Sequence, residues 1–114
     1  MAGEIGEQLA PIVIKDIQGA YQRGELVVTQ DCIRDMTKFG LYEQDLQKVI
    51  MNAARIAKAM PTSSPRASNT KNTHYVIYGE STSGILVYCK VCTNYNPHTD
   101  EFVCWKLTSF CQSN

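Results

Sequence analysis

Ile14, Ile17 and Tyr21 recur at helical spacing behind Pro11, a residue tolerated in a first helical turn. Gly24 follows Arg23 where a C-cap would fall, so the pattern predicts a first helix over about 11–23. Leu26-Val27-Val28 reads as a short extended link. Thr29 is a good N-cap with Asp31 in the turn behind it, Ile33 and Met36 give one apolar face, and Gly40 stops this second helix after Lys38. Leu46, Val49, Ile50 and Ala53 stand at i, i+3, i+4 and i+7 and predict a third helix over about 43–54. The link Phe39-Gly40-Leu41-Tyr42 is short enough to make helices two and three close neighbours.

Beyond Ala54 the period falls from 3.6 to 2. Arg55 to Pro61 reads as extended, and Thr62 to Thr73 as a mobile polar loop that borders the functional face. Three strands are expected at about 74–80, 84–93 and 101–108, joined by turns at Ser81-Thr82-Ser83-Gly84 and around Asn96-Pro97. In the middle strand Ile85, Val87, Cys89 and Val91 share one face and Leu86, Tyr88, Lys90 and Cys92 the other; in the last, Val103, Trp105 and Leu107 oppose Phe102, Cys104 and Lys106. The expected architecture is a single α+β domain over 1–114, with N-terminal helices packed on the apolar face of a C-terminal antiparallel β-sheet.

With 114 residues, 44% apolar and 19% charged, the composition is that of one globular domain. No apolar run approaches the roughly 20 residues of a membrane span, and Met1-Ala2-Gly3-Glu4-Ile5 has neither the basic nor the apolar region of a signal peptide. The expectation is a cytoplasmic protein without a membrane partner, whose five cysteines are thiols. The net charge is zero, but Arg55, Lys58, Arg66, Lys71 and Lys90 face a single acid, Glu80, between positions 55 and 90. A polyanion would meet this stretch, with Arg66 and Lys71 as candidate RNA-binding residues.

Tyr88 and Lys90 project side by side from one strand, Lys106 comes from the next, and Lys58 and His74 bracket the polar loop. RNA transesterification needs a base for the 2′-hydroxyl, cations for the phosphorane and an acid for the 5′ oxygen, and lysine, tyrosine and histidine supply all three without metal. The same residue types also decorate ordinary half-exposed strands. Cys89-x2-Cys92 with Cys104 and Cys111 raises a zinc site, making a small cysteine-rich metal-binding domain one rival reading. Residues three apart in a strand point to opposite faces, however, and a zinc knuckle needs a turn there, so no cofactor is expected.

Several segments resemble the MqsR-type toxins of bacterial toxin–antitoxin modules. These are Gly24-Glu25-Leu26-Val27-Val28-Thr29, Phe39-Gly40-Leu41, Asp45-Leu46-Gln47-Lys48-Val49-Ile50, Lys58-Ala59-Met60-Pro61-Thr62, Gly84 to Lys90 with its Val-Tyr-x-Lys strand, and Val103-Cys104-Trp105-Lys106. The resemblance runs from about Val13 to Phe110 and implies a RelE-like ribonuclease fold. It further implies an mRNA endonuclease held inactive by a cognate antitoxin, with Lys58, Tyr88, Lys90 and Lys106 as catalytic residues and His74 as the alternative acid or base. The family's active-site glutamine has no clear counterpart; His74 or Tyr75 is nearest. The rival from another class is a non-catalytic protein-interaction module of the same fold.

Overall fold

The structure, a computed structural model, describes residues 10–61 and 72–113. Helices α1 (Ala10–Gln22), α2 (Gln30–Lys38) and α3 (Glu43–Met51) precede β2 (Lys58–Pro61), β3 (Thr73–Glu80), β4 (Leu86–Tyr95) and β5 (Phe102–Gln112), and a two-residue strand β1 (Val27–Val28) lies between α1 and α2. The fold is α+β. The sheet order is β1-β5-β4-β3-β2, antiparallel throughout except at one edge. There Val27 and Val28 pair in parallel with Lys106 and Leu107. The expected link is therefore a strand, and the sheet is mixed rather than wholly antiparallel. No helix among the described residues is long and apolar enough to cross a membrane.

Local chemistry accounts for most of the boundaries. Thr29 donates its N–H to the Leu107 carbonyl (3.1 Å), and its Oγ1 accepts from the Cys32 N–H (3.2 Å). One residue thus ends β1 and caps α2, which is why the parallel strand is so short. α2 ends with Gly40 at φ 68°, where the Leu41 N–H returns to the Met36 carbonyl at 2.8 Å and seats Leu41 in the core. α3 stops three residues before its expected end. Gln18 of α1 reaches across and donates from Nε2 to the Ile50 carbonyl (3.1 Å), while Asn52 Nδ2 bonds the Lys48 carbonyl (2.8 Å). The same carbonyls also accept backbone bonds, Lys48 from the Asn52 N–H (3.1 Å) and Ile50 from the Ala53 N–H (3.3 Å), so side chains and backbone together close the helix without another turn.

α1 and α3 cover one face of the sheet, and α2 packs along β5. α3 lies so close to β3 that a Cβ at Gly79 would meet the Val49 methyls at 3.1 and 3.3 Å. Ile17, Leu46 and Ile50 from the helices meet Ile77, Val87, Cys89, Leu107 and Phe110 from the strands, all at most 1% exposed. Burial pushes the Cys32 thiol up to about 12 and Cys89 further still, so both remain protonated fillers of this core.

β5 corrects one part of the expected alternation. Its register against β4 shifts at two places, leaving Val103 and Thr108 unpaired as bulges. The bulge at Thr108 lets Leu107 and Phe110, three residues apart, both point into the core. It also carries the strand past position 108, its expected end. The bulge at Val103 turns that residue out, 56% exposed, and brings Phe102 to the Trp105 side, where the two rings meet edge to face at 5.7 Å.

Asp45 ties the helical layer to the β3–β4 turn. Its carboxylate is 3% exposed. It accepts from the Tyr42 N–H (2.8 Å), the Thr82 N–H (2.8 Å) and the Thr82 hydroxyl (2.7 Å). Beside it Lys48 Nζ donates to the Ser81 carbonyl (3.0 Å). Burial pushes the Asp45 pKa up, but the bonds from Thr82 and Tyr42 and the Lys48 charge outweigh it and leave the carboxyl below its usual value.

Asp45→Asn should lower stability at pH 7 by about 1–3 kcal/mol in urea unfolding, the usual cost of breaking such a partly buried network. The folded pKa lies below the unfolded value of about 3.9. The carboxylate's contribution is therefore complete above that pH and lost as pH falls through the folded value. The gap between wild type and variant should narrow below about pH 4; a constant gap would show that the charge is not the source. Deleting Thr108 removes one bulge and leaves Leu107 and Phe110 on the same face, so a cooperative unfolding transition should survive. Deleting Val91, from the regular run of β4, turns half of that strand's core residues outward and should abolish the transition.

Candidate functional site

The sheet face away from α1 and α3 collects the residues expected to carry chemistry. Side chains directly opposite each other across a strand pair share a face. One row across the sheet runs Met60, His74, Cys92, Lys106 and Val27. The next runs Lys58, Val76, Lys90 and Ser109, and a third Tyr78, Tyr88 and Cys111. Lys58, His74, Tyr88, Lys90 and Lys106 therefore stand on one surface, drawn from four adjacent strands. Strands lie about 4.8 Å apart, so Lys58 and Lys90, one strand between them, are anchored about 10 Å from each other on either side of Val76.

Electrostatics follow from this layout. Among the described residues the ion pairs are Arg23–Glu25 and Arg34–Asp31, so Lys58, Lys90 and Lys106 are paired with no carboxylate there. Glu80, an acid of this face, sits at the far end of β3 beside Leu86, and Asp35 of α2 acts on Cys111 at the other edge. His74 is half-buried; that burial, then the Lys90 charge, holds its imidazole below the usual histidine value, so it is neutral at pH 7. Burial, then Tyr78, raises the Tyr88 phenol, which stays protonated. The surface thus offers a neutral imidazole and a phenolic donor on either side of a cationic row.

Of the two candidates near the missing glutamine, His74 lies on this face and Tyr75 does not. Tyr75 points to the helices and meets the Trp105 ring at 5.8 Å. Cys89 and Cys92 project to opposite sides of β4, as strand geometry requires, with Cys89 in the core and Cys92 between His74 and Lys106. Among the described residues no three His, Cys, Asp or Glu side chains gather as a metal ion would need. Arg66, Lys71 and most of the expected polar loop lie outside the described residues. Of that stretch, Asn72 accepts from the Tyr95 N–H (2.8 Å), and Thr73, which opens β3, donates its N–H to Thr93 Oγ1 (2.9 Å).

Two features escaped the sequence reading. Tyr78 is a large exposed ring on the candidate face, and its position in phase with His74 and Val76 along β3 was the available signal. The second is a concavity of about 730 Å³ on the helix side, between α1 and the far end of β5. Tyr95, Phe102, Trp105 and Tyr75 line it in a chain of edge-to-face contacts of 5.6–5.8 Å. No periodicity announces it, because the bulge at Val103 creates the aromatic run. Its charges are balanced: Lys15 is next to Asp16, and Arg23 is bonded to Glu25 at 2.6 Å. It has no net attraction for a polyanion, unlike the opposite face. No protein-family model, curated protein or solved structure matches this chain.

Proposed function

We propose that this chain is a toxin-type mRNA endoribonuclease that cleaves RNA by transesterification on the open face of its sheet, with a cognate antitoxin as its protein partner. The observation that carries the reading is the convergence of Lys58, His74, Tyr88, Lys90 and Lys106, five residues spread over 49 positions of the chain, on three adjoining rows. The order of the rows matches the reaction. The 2′-oxygen attacks phosphorus as the bond to the 5′-oxygen breaks, so proton acceptor and proton donor belong on opposite sides of the phosphate. His74 lies in the row on one side of the Lys58–Lys90 row and Tyr88 in the row on the other. The neutral imidazole takes the 2′-hydroxyl proton, Lys58 and Lys90 neutralise the phosphorane oxygens, and the Tyr88 phenol protonates the departing 5′-oxygen. Lys106, beyond Cys92, holds the adjacent phosphate. The products are a 2′,3′-cyclic phosphate and a 5′-hydroxyl.

Pure, antitoxin-free protein should cleave a long mRNA in excess EDTA. Lys58→Ala and Tyr88→Phe should each slow cleavage by about 10²–10³-fold, the usual loss for one electrostatic stabiliser or donor. Melting curves should barely move, because exposed or shape-conserving changes cost under about 0.5 kcal/mol. Absence of cleavage by wild type would favour the non-catalytic interaction module; full activity in both variants would discard this site.

The His74 titration, followed by NMR of the ring protons, should have its midpoint below 6.5 in wild type and move upward in Lys90→Met, because the variant removes a cation that opposes protonation. Cleavage should fall on the acid side as His74 gains its proton. An unchanged midpoint would separate Lys90 from the imidazole.

A further inference from the structure

The open face is divided into two chemical zones, and the reaction above draws on the first and on Tyr88 of the second, leaving Tyr78 without a part in it. The first holds the lysines and His74. The second, further along the strands, holds Tyr78 and Tyr88 in one row and Glu80 and Leu86 in the next, with Tyr78 49% exposed and Leu86 47% exposed. Two large side chains left in solvent beside lysines that pair with no carboxylate among the described residues are not explained by the core, which lies on the other side of the sheet. Tyr78 stands directly across from Tyr88, and the rings meet edge to face with centroids 5.7 Å apart and planes at 71°. This contact fixes the Tyr78 ring from one edge while its exposed surface remains available. The Lys58–Lys90 row begins one alternation away along β3, at Val76, about 6.7 Å distant.

We infer that Tyr78 is the stacking platform for the base of a nucleotide adjoining the scissile phosphate, so that the open face binds single-stranded RNA by its sugar-phosphate chain on one zone and by a base on the next. This rests on the ribonuclease reading of the same face and adds the group that holds the substrate's base. A basic track beside exposed aromatic rings is how single strands are held without a fixed sequence, since every base has a π-face and only an unpaired base can present it. Tyr78 touches no reacting atom; it sets where the chain lies over Lys58 and Lys90. Its contact with Tyr88 couples the base site to the proton donor, so a base seated on Tyr78 lies beside the ring that protonates the leaving oxygen. A duplex, whose bases are stacked on each other, has nothing to offer this ring.

The test uses the whole chain and a short fluorescent RNA with every 2′-hydroxyl methylated, which binds but cannot be cleaved, together with an abasic oligomer of the same length and charge. Fluorescence anisotropy should show Tyr78→Ala binding the RNA about 5–150-fold more weakly than wild type, the range reported for losing one base-aromatic stack. Tyr78→Phe should bind within about two-fold of wild type, because the ring is kept. On the abasic probe, wild type and Tyr78→Ala should bind alike. In cleavage of ordinary RNA the Tyr78→Ala loss should fall mainly on KM. Equal RNA binding by wild type and Tyr78→Ala would overturn the inference and leave the ribonuclease reading standing. An equal loss on the abasic probe would also overturn it, by showing a structural role. Failure of wild type to bind either probe would overturn both.

Discussion

The Asp45 carboxylate is the interaction on which the arrangement of this chain turns. A helix and a hairpin far apart in sequence are joined there by two hydrogen bonds from Thr82 to one buried charge, which a third bond from Tyr42 holds in place. One oxygen closes the first turn of α3 and the other closes the turn between β3 and β4, with Lys48 from the next helical turn holding the same turn by its Ser81 carbonyl. Apolar burial alone would leave α3 free to slide on the sheet, because contact between methyl groups is non-directional. The carboxylate fixes the register, so Val49 faces Gly79, where any larger residue would have to displace it. That single alignment decides which residues of β3 look inward and which look out.

From it follows the two-sided character of the sheet. Strands β3 and β4 alternate without a break over their paired length, so once Ile77, Val87 and Cys89 are committed to the helices, His74, Tyr78, Tyr88 and Lys90 are committed to the opposite face. β5 cannot follow the same rule and still fill the core, because Leu107 and Phe110 are an odd number of residues apart. The bulge at Thr108 reconciles the spacing and keeps Lys106 in phase with His74 and Cys92. Packing on one side and charge on the other are thus one decision, taken strand by strand.

Much of this was legible in the chain itself. Helix periodicity and caps placed α1 and α2, and Thr29 acts as the cap its side chain suggested. Alternation in β4 put Tyr88 and Lys90 together. What stayed hidden required tertiary partners. The early end of α3 depends on Gln18 from another helix. The strand character of Val27-Val28 depends on an edge of β5 that no local pattern can show. The bulge at Val103 reversed the predicted sides of Phe102 and Val103, since one extra residue changes the phase of everything beyond it. Asp45 looked like an ordinary first-turn acid; its second partner lies 37 residues away. At the candidate site, the lysines were found by charge and spacing. Tyr78 was missed because an aromatic residue in a strand ordinarily reads as core.

The contrast between the two faces bears directly on what the protein can bind. The helix side has a concavity with an aromatic lining, yet its cations are matched by neighbouring acids, and the field they project is short-ranged. On the open side three lysines stand on two adjoining rows, with Glu80 beyond the Tyr78–Tyr88 row and Asp35 of α2 acting on Cys111 at the end of that row. A neutral chain can attract a polyanion only where its charges are sorted, and here the sheet performs the sorting: rows of one sign are held by backbone register rather than by flexible side-chain choice. A concave pocket suits a compact ligand. An extended, positively charged surface bordered by an exposed ring suits a chain that is itself extended, negatively charged along one edge and aromatic along the other. For a protein of zero net charge, that local separation of charge is the physical basis for reading the open face as the place where RNA is held.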